Sequence, residues 1–178
     1  PAALIALAQR ARKGYAGDRR RILVVDNEEP DRELLVQLLE PLGFELRQAA
    51  SGHDALAMLD ALNPAGEGAP HALFMDLAMP GIDGWETLRR LRRAGHTQIH
   101  LAIVSANAFD KGLDNDAGIA PDDFIVKPLR LHHLLDWLGR KLQLEWVSAD
   151  SPPPSAAPAP QAPPPIVAPA EAHLAALD

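Results

Sequence analysis

Apolar and polar residues follow two alternating patterns along residues 21–144 of this 178-residue chain. A continuous apolar run, typical of a strand buried on both faces, falls at 21–25, and further strand patterns fall at 44–50, 71–75, 99–104 and 123–126. Apolar residues recur at helical spacing over 30–43, 51–62, 84–95 and 130–144. The stretch 107–121 is polar and rich in glycine, so a helix at 109–120 is only weakly encoded.

This succession of strands and helices predicts an α/β fold with a parallel sheet. The connections are too short for anything but crossovers, which place helices on both faces of the sheet. Right-handed crossovers and the length of the region favour a flavodoxin-like (βα)5 three-layer sandwich with strand order 2-1-3-4-5. We therefore expect one folded domain over 21–147.

The flanks of this domain carry other patterns. Residues 1–13 predict a short linker helix, within a basic linker that reaches residue 20; a contact with a partner helix or a membrane surface is the alternative. The proline- and alanine-rich stretch 148–170 predicts a disordered linker. Residues 171–178 resemble the first turns of a further helix, so we expect the sequence to be a piece of a longer chain.

Charge and composition narrow the class of protein. The formal charge is −7, and the acidic residues are concentrated in the predicted domain, so nucleic acid is not an expected partner. The chain has no cysteine, which excludes a disulfide framework and cysteine-ligated zinc. Because no apolar run reaches the roughly 20 residues of a membrane span, we expect a cytoplasmic fragment without direct membrane contact, even within a membrane-anchored parent chain.

Polar residues follow four of the predicted strands. Asp26 and Asn27 follow the first strand, Asp76 the third, Ser105 the fourth and Lys127 the fifth. In an open α/β sheet, ligands bind at the carboxyl ends of the strands, where the strand order reverses. Strands one and three flank that point, so these side chains are expected to converge.

Such a crevice suits phosphoryl chemistry. Two carboxylates, an amide oxygen and a backbone carbonyl form a hard oxygen site that fits Mg²⁺. Lys127 offers a fixed positive charge and Ser105 a hydroxyl, and each can bind one oxygen of a transferring phosphoryl group. Asp76 is then the nucleophile, and its attack on phosphorus gives an aspartyl phosphate.

At these positions the sequence resembles the receiver domain of response regulators. The motifs ILVVDN, MDLAMPGIDGW, SAN and FIVKP occur in order over about 21–143. The resemblance implies that Asp76 accepts phosphate from a phosphohistidine. It also implies that Asp26, Asn27 and Asp76 bind Mg²⁺ together with the backbone carbonyl of Ala78.

The resemblance implies further roles at the end of the domain. Lys127 and Ser105 would contact the phosphate, and Phe124 matches the aromatic switch position of the family. Pro128 resembles the proline of a cis Lys-Pro bond that directs the lysine inward. The partner would be a histidine kinase or a phosphotransfer domain.

The sequence around the domain resembles receivers fused within hybrid sensor histidine kinases. The segments GYAGDRRRILVVDN and LRLHHLLDWLGRKLQLEW carry this likeness. Such a kinase could lie in the same parent chain. The fragment itself shows no kinase dimerisation histidine and no ATP-lid motif, so at most Mg²⁺-dependent self-phosphorylation and autodephosphorylation are expected of it.

Asn27 departs from the family, which usually has a second acidic residue after the first strand. An amide oxygen carries no charge, so we expect weaker Mg²⁺ binding than in a receiver with an acidic pair. A binding-only receiver that never carries phosphate is one alternative. A phosphatase of the haloacid-dehalogenase type is a remote one, since it needs a second aspartate where this chain has Ala78.

Overall fold

The computed structural model describes residues 12–64, 66–112 and 118–149. Its elements in chain order are β1 (Arg12–Tyr15), β2 (Arg21–Val25), α1 (Glu29–Leu39), β3 (Glu45–Ala49), α2 (Gly52–Asp60), β4 (Ala72–Asp76), α3 (Gly84–Arg93), β5 (His100–Ser105), β6 (Phe124–Val126), α4 (Leu131–Leu142) and β7 (Trp146–Ser148).

The central sheet is parallel and has the order β3-β2-β4-β5-β6. Counted from β2, this is the predicted order 2-1-3-4-5. Strands β2 and β4 are neighbours, so the residues that follow them lie side by side at the carboxyl edge. The predicted flavodoxin-like sandwich is confirmed.

Local sequence explains where the helices begin and end. Pro30 lies in the first turn of α1, where its missing N–H is not needed. The hydroxyl of Ser51 caps α2 by accepting a hydrogen bond from the Asp54 N–H at 3.0 Å. Helix α1 ends four residues earlier than predicted, and a 3-10 turn leads into Gly43, whose φ of 101° favours glycine.

Successive residues of each strand point to opposite faces of the sheet, so their side chains contribute to two hydrophobic cores, one on each face. On one face, Leu23 of β2 and Leu73 of β4 lie with the buried side of α2 and α3. On the other face, Val24 and Phe74 lie with α1 and α4, and the Phe74 ring is 5.4 Å from that of Trp137. The centre of the sheet therefore sits between two helical layers.

The segment after β5 has little regular structure within the described residues. A 3-10 helix runs over Ala108–Gly112, and residues 113–117 lie outside the described part of the chain. The weak helix predicted over 109–120 is thus replaced at its start by a 3-10 helix. Across the described ranges, no helix is long and apolar enough to cross a membrane.

The end of the predicted linker helix is wrong. Arg12 and Lys13 lie in β1, which pairs antiparallel with β7 to form a two-stranded ribbon. The remainder of that predicted helix, residues 1–11, lies outside the described residues, as do the predicted linker and helix start over 150–178. Ser148, predicted as the first linker residue, ends β7.

Tertiary contacts explain why a strand forms at β1. The Tyr15 ring lies 4.6 Å from that of Phe44 and contacts the edge of Trp146. Arg12 lies over the Trp146 ring and donates a 2.8 Å hydrogen bond to Asp136 of α4. These contacts override the helical preference of the isolated segment.

Because β7 packs on α4, we expect alanine at Gly139 to destabilise the domain, which is the opposite of its usual effect in a helix. Glycine-to-alanine changes inside helices usually stabilise by about 0.5–1 kcal/mol. A methyl group at Gly139 would lie 2.7 Å from the Trp146 indole nitrogen, so Gly139→Ala should lower the free energy of unfolding instead, by about 1 kcal/mol. Urea denaturation measures this change. In a Trp146→Ala background the same substitution should stabilise, and stabilisation in both backgrounds would contradict the packing argument.

Candidate functional site

One ammonium group binds three carboxylates at the carboxyl edge of the sheet. The Lys127 Nζ atom lies 2.6 Å from Oδ2 of Asp31, 3.0 Å from Oδ2 of Asp26 and 3.5 Å from Oδ1 of Asp76. Asp26 and Asp76 are almost fully buried, with 4% and 6% of their surface exposed. The structure thus brings together three of the side chains predicted to converge, and it adds a fourth, Asp31.

The sheet places these groups. Asp26 follows β2, and its N–H donates to the carbonyl of Ala49 in the neighbouring strand β3 at 3.2 Å. Asp76 is the last residue of β4. Lys127 follows β6, and its N–H donates to the carbonyl of Ser105 at 2.8 Å. The backbone at Asp26, Asp76 and Lys127 is therefore fixed by hydrogen bonds between strands.

The loop between β2 and α1 is held by the same aspartate that faces the lysine. Oδ1 of Asp26 accepts a 2.8 Å hydrogen bond from the Glu28 N–H, and Arg32 donates to the Asp26 carbonyl at 2.6 Å. One carboxylate oxygen thus orders the turn while the other binds Lys127. This bonding fixes the Asp26 carboxylate in the crevice.

The crevice carries more negative than positive charge. Burial raises the pKa of Asp76, the nearby charge of Asp26 raises it further, and Lys127 only partly opposes both effects. Burial lowers the pKa of Lys127, but the hydrogen bonds it donates to Asp31 and Asp26, together with the charges of Asp26 and Asp76, outweigh burial and raise it overall. The lysine is therefore firmly protonated, and three carboxylates share it.

Two predicted site residues use their side chains elsewhere. The Asn27 amide donates to Glu28 at 3.0 Å. The buried Ser105 hydroxyl donates to Oδ2 of Asp110 at 2.7 Å and accepts from the Asn107 N–H at 3.1 Å. Ser105 lies at the predicted edge, but in this state its proton is committed to the loop after β5.

The structure also locates three further predicted positions. The backbone N–H of Ala78 lies near enough to the Asp76 carboxylate to oppose the rise of its pKa. The Lys127-Pro128 bond is cis, as the resemblance implied. Phe124 begins β6 and is 8% exposed within the core beside α3.

A glycine lets the backbone after Asp76 lie against the next helix. At Gly84, the first residue of α3, a methyl group would overlap the carbonyl oxygen of Asp76 and lie 3.0 Å from Cα of Leu77. The N–H of Gly84 also donates to the Leu77 carbonyl at 3.1 Å. Only glycine permits this approach, which holds the β4–α3 loop beneath the carboxylate.

The donor set fits a hard dication that keeps part of its hydration. Within residues 12–64, 66–112 and 118–149, no three carboxylate or histidine side chains are grouped closely enough to hold a metal alone. Asp26 and Asp76 do approach each other closely enough for the charge of one to raise the pKa of the other. Two buried carboxylates with uncompensated charge suit Mg²⁺, which typically takes one or two protein carboxylates and several waters.

Sequence reasoning missed Asp31 and Asp110. Asp31 lies in the first turn of α1, where an acidic residue is common because it complements the helix dipole. Asp110 lies in the polar segment after β5 and has no regular spacing to the other site residues. Asp31 could have been predicted from the position of α1. Because this helix begins at the edge of the crevice, side chains of its first turn can face the site.

A five-stranded parallel sheet whose carboxyl edge gathers aspartates around one lysine defines the class of CheY-like α/β signalling domains. Residues 22–138 match the family model of the response regulator receiver domain, and the chain belongs to this family.

Individual proteins illustrate the relationship. Response regulator MprA of Mycobacterium avium is 36% identical over 117 residues, which cover 65% of this chain and 47% of that protein. Hybrid signal transduction histidine kinase L of Dictyostelium discoideum is 32% identical over 116 residues, covering 62% of this chain and 6% of that protein. The chain thus spans less than half the length of either relative.

A solved structure gives the same fold. Response regulator protein TrrA from Thermotoga maritima, in complex with Mg²⁺-BeF, superposes with a TM-score of 0.58 at 27% identity. The match covers 68% of this chain and 98% of TrrA.

The raised pKa of Asp76 predicts how stability depends on pH. The folded state holds the Asp76 proton more tightly than the unfolded state, so this group's contribution to stability falls as pH rises from the unfolded pKa through the folded one. Asp76→Asn removes this titration and should raise the melting temperature at pH 7 in metal-free buffer. The advantage should shrink toward acidic pH. Asp60→Asn, at an exposed site, serves as the control, and an equal effect of both variants would contradict the prediction.

Proposed function

We propose that this domain accepts a phosphoryl group on Asp76 from a phosphohistidine of a histidine kinase or phosphotransfer domain. The observation that carries the proposal is the buried Asp76 carboxylate, held beside Asp26 and within 3.5 Å of the Lys127 ammonium. Membership in the receiver family supports it, because such domains are phosphoacceptors of two-component systems. The relative among hybrid kinases supports a donor within the same parent chain, and we place the domain in the cytoplasm as part of this proposal.

The transfer step balances without a general base. An Asp76 carboxylate oxygen forms the new bond to phosphorus, while the bond from phosphorus to the donor imidazole nitrogen breaks. The electron pair of that bond stays on the imidazole, which takes up a proton from water. Lys127 supplies positive charge where the phosphoryl oxygens arrive, since its ammonium already lies next to the acceptor carboxylate.

Asp26 and Asp76 are the side chains that would hold Mg²⁺, joined by the oxygen atoms of Asn27 and the Ala78 carbonyl. The bound ion would neutralise charge on the phosphoryl oxygens during transfer. The complex of TrrA with Mg²⁺-BeF supports Mg²⁺ as the metal. Asn27 bonds Glu28 through its amide nitrogen, so its amide oxygen would be the atom offered to the ion.

Phosphorylation would change the bonding of Ser105. Its hydroxyl is engaged by Asp110 in this state, and a phosphoryl group on Asp76 offers a more highly charged acceptor nearby. Transfer of that hydrogen bond would release the loop after β5 from Asp110. Phe124 begins the strand next to β5 and would repack as the loop moves.

Phosphoacceptance can be tested with a small phosphodonor. Incubation with acetyl phosphate and Mg²⁺ should add one phosphoryl group to the wild-type protein, as read by intact mass. Asp76→Asn should abolish the gain, whereas Asp60→Asn should retain it. An unmodified wild-type protein with an intact fold would instead favour a binding-only receiver. Continuous release of free phosphate at enzymatic rates would favour the phosphatase.

The proposed switch can be followed by amide hydrogen exchange. Binding of a beryllofluoride phosphate mimic with Mg²⁺ should change protection in the loop after β5, around residues 105–112, and in β6. Protection in β2 should stay constant, because that strand is central and paired on both sides. Identical protection around 105–112 with and without the mimic would exclude this switch.

A further inference from the structure

The unexpected member of the site is Asp31, whose carboxylate makes the shortest contact to the lysine. Its Oδ2 atom lies 2.6 Å from the Lys127 ammonium, compared with 3.0 Å for Asp26 and 3.5 Å for Asp76. Asp31 is also the most exposed of the three, at 38% of its side-chain surface. It therefore loses less hydration than the two buried carboxylates when it binds the ammonium.

The net charge of the carboxylates and the lysine in the crevice explains why the Asp31 contact matters. With Asn27 neutral, Asp26 and Asp76 are the two carboxylates left beside Lys127, and together the three groups carry a net charge of −1. Asp31 brings the net charge to −2. A receiver with two acidic residues after its first strand, a phosphoacceptor and a lysine would also carry −2.

The hydrogen-bond geometry agrees with this balance. The hydrogen bond that Lys127 donates to Asp31 is the shortest of its three, and it raises the pKa of Lys127 more than the one donated to Asp26, although Asp26 also raises it through its charge. The shortest contact of the lysine is thus made to a residue of α1, at the margin of the crevice. Asp76, the proposed phosphoacceptor, has the longest and weakest of the three contacts.

We infer that Asp31 is a positioning residue that serves as the main counter-charge of Lys127 and so replaces the acidic residue missing at position 27. Because the ammonium also binds Asp31, it neutralises Asp26 and Asp76 less completely, and both carboxylates keep negative charge for a dication. This inference rests on the proposed metal site. It does not require that Asp76 be phosphorylated.

The test is a Mg²⁺ titration of the unphosphorylated protein at low ionic strength, where screening is weak. Asp31→Asn keeps the shape of the side chain and removes its charge. The Mg²⁺ dissociation constant should rise roughly five- to ten-fold, as expected for one unit charge several ångströms from a dication. Glu33→Gln is the matched control, because Glu33 is an exposed acidic residue on the same helix, and it should change the constant less than two-fold.

A rescue variant tests the replacement itself. Adding Asn27→Asp to Asp31→Asn restores the net charge of the crevice and should return the Mg²⁺ affinity at least to the wild-type value. The ammonium of Lys127 provides a second readout in metal-free protein. Its nitrogen-15 NMR signal, assigned with Lys127→Arg, should shift or broaden in Asp31→Asn and persist in Glu33→Gln.

Three results would overturn the inference: equal Mg²⁺ affinities of Asp31→Asn and Glu33→Gln, an unchanged Lys127 signal in Asp31→Asn, or no Mg²⁺ binding by the wild-type protein. Failure of the proposed function looks different. In that case Mg²⁺ binds and Asp31→Asn weakens it, but acetyl phosphate leaves Asp76 unmodified.

Discussion

The ammonium of Lys127 joins three carboxylates that come from separate parts of the chain: the end of β2, the first turn of α1 and the end of β4. Without a cation between them, the buried charges of Asp26 and Asp76 would repel each other in a poorly hydrated crevice. The contact therefore reduces charge repulsion in the resting domain. The same charges form the chemistry of the site, so stability and function depend on one set of atoms.

The parallel sheet makes this arrangement possible, because the strands that carry the acidic residues are direct neighbours. Their backbones are fixed by the ladder, and the loops beyond them are short. Gly84 allows α3 to begin directly against the carbonyl of Asp76, so the phosphoacceptor sits on a firmly supported turn. By contrast, the segment after β5 is held by a few side-chain bonds, such as the one from Ser105 to Asp110. Rigid support on one side of the crevice and replaceable bonds on the other suit a domain that changes shape locally.

Much of this could be predicted from the sequence, for identifiable reasons. Four of the five sheet strands are largely apolar, and a polar residue at the end of each of two neighbouring strands has to face the same crevice, which located Asp26 and Asp76. Asp31 was not predicted as a site residue, because an acidic residue in a first helical turn is already explained by its interaction with the helix dipole. Ribbon strands of three and four residues are too short to show a period, and β1 is stabilised by Tyr15 and Trp146, which are distant in sequence. The metal-binding role of Asn27 stays a prediction.

The ribbon of β1 and β7 has a mechanical consequence. Paired antiparallel strands lie roughly 4.8 Å apart, so the points where the polypeptide enters and leaves the domain are tied to each other. A rearrangement inside the sandwich then cannot lengthen or shorten the span between the flanking segments. Trp146 packs on α4 at Gly139 and Arg12 bonds Asp136 of the same helix, so a tilt of that helix would move both strands of the ribbon together.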